Sequence, residues 1–212
     1  MSELKRSRAE HWHSRTHGVA FLLTALGIPV MMLRAIESGD PWHIVGCAIF
    51  GATMVATFAA SALYHGAVRP GRKRLLRIVD HSSIYLLIAG SYTPFCLTGL
   101  RSSVGWWMLG AAWSLALFGV IFKLFFTGRF ERFSTALYLF MGWMATIAIG
   151  PMLEVLLPGT MALLIFAGAS FSIGTIFYYF DRRGFHLIWH LLVMVGCACL
   201  WGAVFHELPV PV

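Results

Sequence analysis

Seven runs of roughly twenty apolar residues dominate this chain, at 16–37, 42–65, 78–100, 104–126, 133–149, 158–180 and 185–205. One α-helix of that length crosses a hydrocarbon core about 30 Å thick. Short connections separate the runs, and they hold most of the charges together with turn pairs such as Pro70-Gly71 and Pro158-Gly159. No segment shows the ten-residue alternation of a membrane β-barrel. Only 12% of residues are charged and 58% are hydrophobic, whereas a soluble domain carries about a quarter and about half. That leaves too little polar surface to face water on all sides. The reading is an all-α membrane protein, a single seven-helix transmembrane domain over 1–212 with a short polar tail at 1–15. The run at 133–149 is the shortest.

Basic residues set the orientation. Lys5, Arg6, Arg8 and Arg15 lie in the tail, and Arg69, Arg72, Lys73, Arg74 and Arg77 around the second connection. Lys123, Arg129 and Arg132 flank the fourth connection, and Arg182 and Arg183 the sixth. Only Arg34 and Arg101 fall on the other side, so fourteen of the sixteen share one side. That side is predicted to be cytoplasmic, which places the N-terminus inside and, with seven spans, the C-terminus outside. The net charge of +7 is spread over loops in this topological pattern, which argues against nucleic acid as a partner and leaves attraction to anionic headgroups as its use. No cleaved signal peptide is expected, because a short apolar core with a small-residue cleavage site is lacking. Cys47, Cys96, Cys197 and Cys199 all fall within predicted spans and suggest neither a disulfide framework nor a thiolate zinc motif.

Ionisable residues inside spans are costly and face the bundle interior. His65 ends the second span, with Ser61 one turn deeper on the same face. Asp80 opens the third span, and His186 and His190, four apart, open the seventh. With this topology all of them lie at one shallow, cytoplasmic level. Three imidazoles and a carboxylate at one depth suggest a metal site. Catalytic zinc takes three protein ligands and keeps a position for water, and it brings the pKa of that water to about 7. Asp80 would then orient the water or take its proton, and Ser61 would bond the water or a reacting carbonyl. The bland alternatives are interfacial histidines bonded to carbonyls, an Asp80–Arg77 pair at i, i+3, and a Ser61 bonded within its own helix. Copper and nickel also suit three imidazoles. His11 and His13 read as solvated tail residues. His17 reads as interfacial or as a neighbour of the metal shell, and His43 and His206 as interfacial on the outer side.

The segment Ser61-Ala-Leu-Tyr-His65, the following Asp80, the run Gly90-Ser-Tyr-Thr-Pro94-Phe95 and His186-Leu-Ile-Trp-His190 resemble the bacterial hemolysin III proteins, within the progestin and adipoQ receptor family. The resemblance runs from Glu10 to the last span. It implies seven helices with a cytoplasmic N-terminus in the bacterial inner membrane, and a zinc ion (Zn2+) held by His65, His186 and His190, with Asp80 and Ser61 beside it as catalytic groups. One position departs from the family pattern: Glu10 and His17 match its first motif, but His13 stands where asparagine is usual. The related adiponectin receptors and alkaline ceramidases imply zinc-dependent hydrolysis of a lipid amide bond, and other members are linked to membrane lipid homeostasis; the expectation drawn is a zinc hydrolase acting on an amide or ester bond of a membrane lipid. The alternatives are a non-enzymatic membrane sensor with structural zinc, and a pore-forming hemolysin. The last fits worst, since the spans are those of a resident membrane protein.

Overall fold

Every described element of the computed structural model is helical, and no strand occurs among the described residues, 3–180, 182 and 184–209. Arg183 and the side chains of Lys5 and Arg6, which entered the orientation argument, lie outside that set. The helices are α1 (Glu3–Glu37), α2 (Pro41–Gly66), α3 (Pro70–Leu97), α4 (Gly105–Phe126), α5 (Glu131–Trp143), a 3₁₀ segment (Met144–Ala148), α6 (Ile149–Val155), α7 (Pro158–Phe180) and α8 (Phe185–Glu207). The turn residues act where expected. Asp40 caps α2, its Oδ1 accepting from the Trp42 amide at 2.9 Å. Pro41, Pro70 and Pro158 each occupy the first position of a helix, where a missing N–H costs nothing. Gly184 turns the chain into α8 with a left-handed φ of 86°, a conformation that glycine adopts without strain.

Among the described residues, six helices are long and apolar enough to cross a membrane: α1 from Arg8, α2, α4, the rod Glu131–Val155, α7 and α8. Their outward faces carry exposed Leu26, Phe125, Ile147 and Phe166. Of the seven expected spans, α3 does not meet that standard. Its opening turns carry Arg72, Lys73, Arg74, Arg77 and Asp80. α3 packs between α2 and α4 and also touches α5 and α8; Asp80 and the polar residues beyond it are covered by protein, whereas Arg72 and Arg74 in its first turns are exposed. Ser82, Ser83, Tyr85 and Thr93 on this helix are buried. A side chain at Gly90 would collide with Thr53 of α2, and one at Gly119 of α4 with the Tyr85 ring. These small residues let the helices approach closely.

The shortest predicted run, 133–149, is in fact part of a longer, interrupted rod. Its ladder breaks where a side chain enters it, one of the recognised causes of a kink. The Tyr92 hydroxyl donates to the Met141 and Gly142 carbonyls at 2.7 and 3.0 Å and accepts from the Ala145 amide at 2.9 Å. Pro151 follows; it has no amide to return to Ile147 and its ring crowds that carbonyl. The rod recovers as α6 and reaches Val155. The first run also extends: α1 is helical from Glu3, so the tail continues the span as one rod.

Candidate metal centre

Five histidines from three helices meet at one end of the bundle. His13 and His17 lie on α1, His65 at the last turn of α2, and His186 and His190 on the first turns of α8. The predicted trio is brought together: the ring centroids of His65 and His186 are 5.3 Å apart, those of His65 and His190 4.9 Å, and those of His186 and His190 4.9 Å. His13 stands equally close, at 5.0 Å from His65, 4.6 Å from His186 and 5.0 Å from His190. The three residues whose ligand atoms lie within 4.8 Å of one another are His13, His65 and His186. Thus His13, expected in solvent, is 9% exposed. His11, by contrast, is exposed as expected.

The neighbours fix how two of the rings face. Glu10 Oε2 lies 3.1 Å from His65 Nδ1 and accepts from Lys73 Nζ at 2.7 Å. A carboxylate at Nδ1 keeps the proton there and leaves the Nε2 lone pair free, the usual support of a metal-binding imidazole. The Thr16 hydroxyl is directed at the carbonyls of Trp12 and His13, both at 3.0 Å. Its oxygen is 3.4 Å from His190 Nδ1, which again leaves Nε2 as the acceptor. His17 is different: its Nδ1 and the Ser61 hydroxyl share a 2.7 Å hydrogen bond, and its ring stacks on His190 at 3.8 Å and 18°.

Such a donor set fits a metal ion. It is imidazole nitrogen in a buried place, and His13 Nδ1 and His17 Nε2 are buried with no hydrogen-bond partner. An unmet polar atom of this kind costs about 1–3 kcal/mol, a cost that coordination removes. If the site holds metal, Glu10→Gln is expected to weaken its affinity by roughly 10–100-fold while leaving the stoichiometry unchanged. A competition titration against a chromogenic chelator measures this directly.

Ser61 and Asp80 share a cavity with these rings. Asp80 is buried, and its nearest ionic partner is the adjacent His81, Oδ2 to Nδ1 3.4 Å. The expected alternative partner, Arg77, is engaged elsewhere: its Nη2 donates to Glu131 Oε1 at 3.3 Å, and the buried Lys123 donates to Glu131 Oε2 at 2.7 Å. Asp80 is therefore not spent on that pair. The cavity, about 550 Å³, has His17, Ser61, His65, Asp80, His186 and His190 on its wall, together with Leu87, Phe95, Leu100, Met108 and Leu164. Between Asp80 and Phe95, α3 rises roughly 22 Å, so the polar wall gives way to apolar lining over most of the bundle's depth. Leu139, Trp143, Gly168, Ser172 and Thr175 also line it, and there α5 and α7 touch only sparsely. A hydrogen bond from Trp143 Nε1 to Ser172 Oγ, 3.0 Å, bridges the two helices.

On sequence reasoning Glu10 and His13 were missed as parts of the centre. The available signal was spacing: Glu10, His13 and His17 lie three and four residues apart, which is one face of a helix. That face became meaningful only once the tail was known to be helical.

A multi-pass helical membrane protein with a buried histidine cluster at one end of a cavity of about 550 Å³ is the class that fold and site define. Residues 6–201 match the family model described as Haemolysin-III related. The chain belongs to that family. It is 41% identical over 198 residues to the Hemolysin-3 homolog of Bacillus subtilis, covering 92% of this chain and 93% of the relative. It is 39% identical over 196 residues to Hemolysin-3 of Bacillus cereus, covering 92% and 90%. A more distant likeness, 26% over 202 residues and 89% and 81% of the two chains, links it to the human monocyte to macrophage differentiation factor, a member of the progestin and adipoQ receptor family.

Proposed function

We propose that this protein is a zinc-dependent hydrolase that cleaves an amide or ester bond of a membrane lipid at the cytoplasmic leaflet, in the service of membrane-lipid homeostasis. In this reading α3 is the seventh span of a single domain, the N-terminus is cytoplasmic, the C-terminus is outside, and the membrane is the bacterial inner membrane. The basic residues support the orientation. The burial of α3 between α2 and α4 supports its place in the bundle.

One observation carries the functional reading: a single cavity joins a histidine cluster, a carboxylate and a hydroxyl at one end to a long apolar chamber. The volume lies in the range of small-ligand sites, and its shape suits an acyl chain with the headgroup linkage at the polar end. His65, His186 and His190 would hold the zinc. When bound, zinc supplies Lewis acidity, polarising a carbonyl and lowering the pKa of water to about 7. The chain's own groups do the rest. Asp80 takes a proton at its carboxylate from the attacking water and returns it to the departing amine or alcohol. The Ser61 hydroxyl, held by His17, positions the water or donates to the carbonyl oxygen. The sparse α5–α7 contact offers a lateral way in from the bilayer.

The convergence of α1, α2 and α8 on one cluster favours a second reading, a membrane sensor in which zinc only staples helices. The experiment that separates them uses protein in lipid nanodiscs, supplied with a long-chain lipid amide or a phospholipid ester. The expected result is release of free fatty acid, detected by mass spectrometry, that stops on chelation and returns with zinc. Zinc-loaded protein that releases no fatty acid from either class, as wild type and as a His13→Asn variant, would overturn the hydrolase reading in favour of the staple.

A further inference from the structure

We propose that His13 is itself a ligand, so that the resting metal centre of this chain is a closed shell of four imidazoles, His13, His65, His186 and His190. The proposal rests on the metal-centre reading above and adds to it a residue that the family pattern supplies as asparagine.

The geometry is that of a tetrahedron of rings. All six centroid separations among these four histidines fall between 4.6 and 5.3 Å. Four imidazoles bound through nitrogen at 2.0–2.1 Å to a tetrahedral ion place their ring centroids about 5 Å apart. Ligand atoms of His13, His65 and His186 lie within 4.8 Å of one another, so His13 belongs to the set whose nitrogens stand closest. His13 also has a free nitrogen to give: its buried Nδ1 has no partner. Glu10, three residues away, is directed at His65 and Lys73.

His17 does not compete for the position. Its Nε2 is as free of partners as His13 Nδ1, but its ring lies nearly parallel on that of His190, 3.8 Å away. The lone pairs of stacked rings run side by side and do not converge on one ion. His17 therefore serves as a wall and as the holder of Ser61.

The consequence concerns the fourth coordination position, which a hydrolase leaves to water. His13 fills it, so α1 acts as a latch. The latch is part of a packed contact: Ser14, next in sequence, donates to the Ala62 carbonyl of α2 at 2.9 Å. Access to the metal then requires the first turns of α1 to release His13, which makes hydrolysis conditional on a movement of the N-terminal helix at the membrane surface.

Cobalt(II) as the metal and azide as the probe test this, with the full-length protein in detergent. Wild type is expected to bind one cobalt per chain with a visible spectrum that azide does not change. His13→Asn is expected still to bind one cobalt, roughly tenfold or more weakly, since loss of a ligand costs at least as much as loss of its support, and its spectrum is expected to shift with azide. If wild type responds to azide as the variant does, or both bind cobalt equally well, His13 is not a ligand. X-ray absorption on zinc-loaded wild type needs no variant and guards against misfolding: four imidazole shells at about 2.0 Å support the proposal, whereas three with an oxygen overturn it. Absence of any bound metal in wild type would overturn the metal-centre reading as well, and is distinguishable from both.

Discussion

Alanine at His65, His186 and His190 together is expected to reduce zinc from one per chain to none, measured by elemental analysis of detergent-purified protein. The three rings come from the end of α2 and the start of α8, and without them His13 and the stacked His17 are left, too few to hold an ion. Stability follows occupancy. A ligand present at a thousand times its dissociation constant adds about 4 kcal/mol to the folded state, so the wild-type melting temperature should climb with added zinc while that of the triple variant stays flat. Single replacements are more informative about rank. His190→Ala leaves the trio His13, His65 and His186, whose ligand atoms already stand closest, and is expected to retain zinc at reduced affinity. His65→Ala removes the ring that Glu10 and Lys73 support and is expected to weaken binding more. Zinc retained at full occupancy in the triple variant would mean that the metal lies elsewhere.

The sequence was most legible where one physical constraint decides the outcome. Apolar run length placed the membrane helices, because a helix in lipid must satisfy its backbone internally and must be long enough to cross. Spacing and depth picked out His65, Asp80, His186 and His190, because charged and polar side chains in a span need a reason to be there. What resisted reading depended on tertiary contact. The break in the fifth run is made by Tyr92, which is 49 residues from Met141 in sequence. The basic stretch Arg72–Arg77 reads as a connection before the third run, yet it forms the first turns of α3, which starts at Pro70. His13 lies among charged tail residues that suggest solvent, and only the continuation of α1 along α2 carries it into the cluster. The role of Arg77 was likewise beyond local spacing: Asp80 is three residues away, but the guanidinium is held by Glu131, 54 residues distant.

That last contact bears on the variant with the largest expected kinetic effect. Asp80→Asn keeps the size and shape of the side chain and removes its capacity to take a proton. Because Arg77 bonds Glu131 and does not depend on Asp80, no buried guanidinium is left unpaired by the change. The immediate neighbour affected is His81, 3.4 Å away. Zinc content and melting temperature are therefore expected to match wild type. If Asp80 is the proton carrier of a hydrolase, turnover should fall by about 10²–10⁴-fold, the usual contribution of a positioned acid–base group. The loss should appear in kcat, with little change in KM, because the apolar chamber that in this reading would hold the acyl chain is untouched. A structural zinc predicts the opposite pattern, in which Asp80→Asn alters no readout and His186→Ala lowers thermal stability. The two variants measured side by side on one zinc-loaded preparation thus decide whether the carboxylate beside the histidines works on a substrate or only borders the cavity.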